Sequence, residues 1–136
     1  MALVYRVINE SGSGMYQGGF YYDCCTDDDG RADDDAHTGH IQPNPHGDKG
    51  LCDEWVKLDY EYRCNMLFGF SSLDQMSRWI HKHTWRKNMH DRGGKIAVFE
   101  VEDGHMIEGQ CQVVFHPEYA RLVHRLNVYT LSLIHI

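Results

Sequence analysis

No run of apolar residues in this 136-residue chain approaches the roughly 18 needed to cross a bilayer as a helix. The start, Met1-Ala2-Leu3-Val4-Tyr5-Arg6, lacks the basic residues and long apolar stretch of a secretory signal. Cysteines number five, Cys24, Cys25, Cys52, Cys64 and Cys111, and an odd count without a signal argues against a secreted disulfide scaffold. The vicinal pair Cys24-Cys25 is poorly placed to bridge itself. Reduced thiols and a cytosolic compartment are the expectation. Several motifs are also missing. The glycines fit neither the dinucleotide fingerprint nor the phosphate-binding P-loop, and no Gly-x-Ser-x-Gly elbow or helical His-Glu-x-x-His is present. There is no internal repeat.

The charge that is present is uneven. The formal net charge is −7, which disfavours a broad grip on nucleic-acid phosphates. Seven aspartates and one arginine lie between Asp23 and Asp35, whereas five Lys and Arg residues and one aspartate lie between Arg78 and Arg92. Asp27, Asp29 and Gly30 suit the middle of a calcium loop. Cys25 and Ala36 occupy its two ends, where oxygen ligands are required. A mobile solvent loop without calcium is expected there. His37, His40, His46, Asp48 and Cys52 are candidate zinc ligands, but their spacing matches no standard pattern. Cys111, between two glutamines in a strand, reads as a buried inert thiol.

The pattern along the chain is that of an α+β domain over residues 1–130. Residues 3–8 alternate as a strand, with Val4 and Arg6 on one face and Leu3, Tyr5 and Val7 on the other. Residues 11–19 are glycine-rich, able to bring backbone amides to a phosphate or to serve as a turn. Residues 23–50 form a long acidic, His- and Pro-containing loop with no regular period. Ser72 and Gln75 make a capping box, Leu73, Met76, Trp79, Ile80 and His83 form one apolar stripe, and Gly93-Gly94 is a stop. One long helix over 72–91 is expected. Residues 95–101 and 110–115 read as strands paired in an antiparallel hairpin, in one sheet with 3–8. A short C-terminal helix is expected from Pro117 through Leu126. Residues 131–136, Leu-Ser-Leu-Ile-His-Ile, resemble the translation of a sequencing adapter and are expected to be a non-native tail.

Three functional readings follow. An arginine inside a short strand needs water or an anion. Phe68-Gly69-Phe70-Ser71-Ser72 leads into a capped helix whose N-terminal amides favour the same kind of partner. Arg6, His40, Ser71 and Gln112 are expected around one concave nucleotide site. The second reading is a non-enzymatic accessory or anti-defence protein that meets a host protein through its acidic loop. The third is a metal-dependent hydrolase built on the 37–52 cluster. No membrane partner is expected.

The chain resembles a group of small proteins of bacterial viruses and prophages. Val4-Tyr5-Arg6-Val7, Gly14-Met15-Tyr16, His40 with Pro43, Pro45 and Asp48, Phe68 through Trp79, Val98-Phe99-Glu100-Val101 and Gln112 through Phe115 carry the likeness. The resemblance implies residence in the cytoplasm of an infected host. More distantly, it resembles ADP-ribosyltransferase-like domains of the Arg–Ser–Glu type, which bind NAD between two small sheets. That resemblance implies NAD contacts from Arg6, Ser71, Ser72, Phe70 and Tyr16, with Gln112, Glu108 and His40 in the catalytic positions. Gln112 stands where such domains carry glutamate. An amide hydrogen-bonds a hydroxyl but offers no negative charge to a cationic transition state. Binding without efficient transfer is the corresponding expectation, unless Glu108 substitutes.

Overall fold

The computed structural model describes residues 1–12, 14 and 48–133. Its centre is the strand Lys95–Val101, in which Ile96, Ala97, Val98 and Val101 are all buried. A strand covered on both faces needs apolar residues at successive positions, and this one has them. It pairs antiparallel with the strand Ala2–Ile8 on one side, in unbroken register from Ala2↔Val101 to Ile8↔Lys95. On its other side it pairs antiparallel with the strand Ala120–Asn127. A second antiparallel sheet has Val113–Phe115 at its middle, between Leu67–Gly69 and Met106–Glu108. In chain order the strands are β1 (Ala2–Ile8), β2 (Leu67–Gly69), β3 (Lys95–Val101), β4 (Met106–Glu108), β5 (Val113–Phe115) and β6 (Ala120–Asn127). The chain is thus α+β, and its described residues form two three-stranded sheets of order β1-β3-β6 and β2-β5-β4.

The two faces of the first sheet are used at opposite ends. Near the start of β1, Val4 and Val101 pack on Val113 and Phe115 of the second sheet, with the Phe99 and Phe115 rings 5.4 Å apart. Near its end, Val7 and Ile96 pack from the other face on Met76, Ile80, Trp85 and Met89. A third cluster joins Val114 to Leu51 and Met66, beneath two short helices, α1 (Lys49–Trp55) and α2 (Tyr60–Cys64). All three residues of β5 are therefore buried: Val113 and Phe115 on one face, Val114 on the other.

The long helix expected over 72–91 is two helices, α3 (Leu73–Trp79) and α4 (His83–Asp91). The apolar phase explains the break. Met76 and Ile80 are buried, and so are Trp85 and Met89. In a straight helix the five-residue step from Ile80 to Trp85 would turn the second pair about 140° away from the first. Leaving helical geometry at Ile80, whose ψ is 70°, brings both pairs onto one core. Arg86 covers the exposed end of α3, donating from Nε to the Ile80 carbonyl at 2.8 Å. Burial lowers the pKa of its guanidinium from the ordinary arginine value. The expected stop holds: Gly93 takes φ +81°, Gly93 N donates to His90 O, and Gly94 N donates to Met89 O at 2.8 Å.

Two further expectations are corrected. Residues 95–101 and 110–115 do not form a hairpin with each other. β3 and β5 lie in different sheets, and only Val113–Phe115 of the second segment is strand. The short helix expected from Pro117 is a three-residue 3-10 turn, Pro117–Tyr119, followed by β6. Leu122 and Leu126 are four apart, a helical spacing. In the sheet a bulge at Val123 places them opposite Phe99 and Ile96, on different faces. A second 3-10 turn spans Val128–Leu133, and its Val128 and Leu131 close the core beside α4.

Ile80 has no exposed surface. Replacing it with aspartate buries an unpaired charge, and Ile80→Asp is expected to cost about 3–5 kcal/mol, measured by urea denaturation. A loss under about 1 kcal/mol would show that the α3–α4 junction does not hold the core together.

Candidate functional site

Arg6 sits where the two sheets meet. Tyr5 and Phe70 exchange backbone hydrogen bonds, N–H to O, of 2.8 Å each way. This bridge lays the end of β2 along the outer edge of β1. The Arg6 guanidinium, half-buried, then reaches across and donates from Nη1 to the Phe68 carbonyl at 2.6 Å. Gly14 comes back to β1 by a bridge to Ile8. A Cβ on Gly14 would overlap Nη2 of Arg6, so the absence of a side chain at Gly14 lets the guanidinium lie as it does. Gly14 and the arginine are therefore neighbours on the edge of β1.

The two serines are already occupied. Ser72 is the N-cap of α3, its Oγ accepting from Gln75 N at 3.0 Å. Gln75 Oε1 accepts from Ser71 N at 2.8 Å and from Ser71 Oγ at 3.2 Å. In the usual capping box the returning side chain meets the N-cap amide; here it reaches one residue further back. Gln75 Nε2 also donates to Gln110 O at 3.3 Å, tying α3 to the β4–β5 turn. Phe70 is buried against the core. Arg6, Phe70 and Ser71 thus occupy adjacent chain segments, with Ser71 turned toward α3.

Gln112 follows the pattern only in part. One step beyond the pair Gly69↔Val113, it lies next to Phe70 in the register of β2 with β5. It also alternates with Val113, as expected. However, Gln112 has no exposed surface, and Val114, on the same face, is packed against Leu51 and Met66. The face expected to open onto a cleft is covered by α1. Glu108 lies across the turn from Gln112, on β4, and is exposed. Cys111 is half-buried rather than buried. His40 and Tyr16 lie outside the described residues, as do the Asp23–Asp35 run, His37 and His46; of the expected set Arg6, His40, Ser71 and Gln112, the described members Arg6, Ser71 and Gln112 lie on chain segments that neighbour one another around Phe70.

Asp48, a candidate zinc ligand in the sequence, is 2 % exposed and has a different task. Its Oδ1 accepts from Gln110 N and its Oδ2 from Cys111 N, both at 2.9 Å. Gly109 lies against this carboxylate, where a Cβ would overlap it. Asp48 also begins α1, accepting at its own carbonyl from Cys52 N at 2.8 Å. One buried residue thus serves both, its carbonyl starting α1 and its carboxylate holding the β4–β5 turn. Among the described residues no three metal-ligating side chains converge.

Two groupings were not anticipated. Tyr62 of α2 hydrogen-bonds His105 Nδ1 at 3.0 Å, and the His105 ring stacks on Tyr119 at 3.5 Å. Burial, and then Tyr119, raise the Tyr62 pKa from its ordinary value. His116, 5 % exposed, accepts from Glu118 N and packs on Tyr62. These four rings fasten α2 to the second sheet. Beside Tyr119 lies a cavity of about 360 Å³ lined by Met1, Glu100, Glu102, Glu118 and Arg121, with none of the expected site residues. Residues this far apart in sequence carry no local signal of meeting.

Asp48→Ala is expected to lower stability by roughly 3 kcal/mol, since two charge-assisted bonds are lost and two amides are stranded. Asp48→Asn, which keeps one acceptor, is expected to cost about half as much. Denaturant titration checks both, and amide exchange at Gln110 and Cys111 should accelerate in each.

No curated protein and no solved structure matches the chain. A family model does, that of the bacteriophage T4 Y00F protein, over residues 1–129. The viral likeness read from the sequence therefore has independent support, and the chain belongs to the bacteriophage T4 Y00F protein family.

Proposed function

We propose that this phage-family domain binds a nucleotide, with NAD or an ADP-ribose-bearing relative as the ligand, and that it transfers ADP-ribose poorly or not at all. The observation that carries the proposal is the contact between Gly14 and the Arg6 guanidinium. A guanidinium presents five N–H donors in a planar fork that suits phosphate oxygens. The backbone at Gly14, beside it, can add a donor to the same anion. Pyrophosphate is the part of a dinucleotide that such a pair would hold.

The weak-transfer half of the proposal rests on Gln112 and Glu108. Gln112 is neutral and fully buried, so it brings no charge to a developing oxocarbenium ion. Glu108 is an exposed carboxylate across the β4–β5 turn and is the residue that would supply any residual transfer.

The test is calorimetry and thermal shift with NAD, ADP-ribose, ATP and orthophosphate. At 100-fold excess over the dissociation constant, a ligand binding only the folded state adds about 2.7 kcal/mol of stability. NAD and ADP-ribose are expected to raise the melting temperature, and transfer to protein or water is expected to stay at background. Arg6→Lys, which keeps the charge and loses the fork, is expected to weaken binding by about 1–2 kcal/mol. Because Arg6 also holds Phe68, its substitution lowers stability as well, so affinities are compared at a temperature where the variant is folded. Absence of any ligand effect at millimolar concentration would sink the proposal.

A further inference from the structure

A single apolar side chain in water carries no message, but several gathered beside a cavity do. Six large hydrophobic side chains are exposed among the described residues, and Met1, Leu3 and Tyr119 are three of them. Leu3 of β1 stands in one cross-strand row with Glu100 of β3 and Arg121 of β6. That row lies on the sheet face opposite the one that Val4, Phe99 and Val101 give to the second sheet. α3 and α4 pack on the same face at its other end, around Val7 and Ile96. Met1 and Tyr119 line the cavity of about 360 Å³ that takes in Glu100 and Arg121 from the row. This volume lies within the range of ligand-binding clefts. Stacking on His105 at 3.5 Å makes the Tyr119 ring a fixed wall of it. Glu102 and Glu118 also line the cavity. Its two cations are already engaged: Arg121 contacts Glu100 at 3.2 Å, and the Met1 amine contacts Asp103 at 2.9 Å. Glu102 and Glu118 are exposed and make no ion pair among the described residues.

We propose that this end of the sheet is a docking surface for a basic segment of another protein, which seats an arginine or lysine side chain in the cavity and lays apolar neighbours on Met1 and Leu3. Charge complementarity selects the occupant. A guest cation meets two carboxylates that have no cation of their own, beside an aromatic ring whose face attracts a guanidinium. The aliphatic stem of such a side chain can lie on apolar surface while its head stays with the carboxylates. An acidic guest would face Glu100, Glu102, Asp103 and Glu118, with both local cations already paired. A second copy of the chain, in a two-fold contact, would bring the same excess of carboxylates to the same place. A small polyamine answers the charge but leaves Met1 and Leu3 in water, so the apolar part of the surface favours a peptide. The surface shares no residue with the anion reading at Arg6.

The test uses the whole chain and two labelled peptides of about eight residues, one combining arginine with leucine and serine, the other with glutamate replacing arginine. Fluorescence anisotropy is expected to show the arginine peptide binding at least about tenfold more tightly, with the preference shrinking as salt rises. The Asp23–Asp35 run also attracts such a peptide by charge, so location decides. Amide exchange should slow at 1–3, 100–102 and 118–121 when the peptide is present. Glu102→Gln/Glu118→Gln, which keeps the shape and removes two charges, should weaken the arginine peptide about tenfold. Leu3→Ser should weaken it severalfold, and spermidine should compete only at concentrations well above those of the peptide. Equal binding of both peptides, no binding at millimolar concentration, slowed exchange confined to other residues, or unchanged affinity in the glutamine variant overturns the proposal. So does spermidine matching the peptide with Leu3→Ser silent, which marks a small-amine site, or a wild-type dimer protected at the same residues. Should a variant fail to fold, the wild-type exchange pattern alone decides.

Discussion

Two hydrogen bonds between Tyr5 and Phe70 couple the sheets on which everything else is built. They connect residues far apart in sequence, from the first strand and from the end of β2. Once they form, the chain after Phe70 is directed into the Ser72 cap and α3. Arg6, the next residue on β1, is brought within reach of the Phe68 carbonyl. Phe70 itself enters the core made by α3, α4 and the last 3-10 turn. The bridge thus sets the helix position and the arginine environment together. A change that loosened it would move both, which is why stability and ligand affinity must be measured separately at Arg6.

What was legible in the sequence was local. β1 and β3 follow from period-2 alternation and from an unbroken apolar run. The Ser72 cap and the Gly93 stop follow from residue chemistry that acts within one turn. The break at Ile80 was encoded too, in the five-residue gap between the buried pairs, but a stripe ending at His83 hides it. His83 is exposed and Trp85 is buried. β6 was lost for a related reason. Its bulge converts strand alternation into a spacing of four between leucines, which is the signature of a helix face. Pairing of β3 with β6 rather than β5 had no local signal, because partner choice depends on the layers that each strand must cover.

The candidate site divides along the same line. A charge inside β1 announced that Arg6 would need a partner, and it has one in a main-chain carbonyl. Gly14 was visible only as one of several glycines, and its place beside the guanidinium appears only in the fold. For Gln112, alternation predicted the face correctly but not what covers it. Asp48 looked like a ligand because carboxylates among histidines suggest metals. Two backbone amides 62 and 63 residues away claim it instead.

The alternate use of the first sheet also explains where its charges lie. β1 and β3 give one face to the second sheet at one end, and the opposite face to the helices at the other end. Apolar residues fill those two regions, so polar residues fall to the remaining two. In one of them the cross-strand rows are Arg6–Ala97–Arg125 and Ile8–Lys95–Asn127, with three cations and no carboxylate. In the other, the row Leu3–Glu100–Arg121 carries both signs, with the Glu100–Arg121 ion pair between strands. Among the described residues the rows of the first region carry only cations, whereas the second carries a carboxylate already paired. The cationic region is the one that includes Arg6 on β1 and Arg125 on β6. The separation of the two regions follows from a single packing constraint on β3.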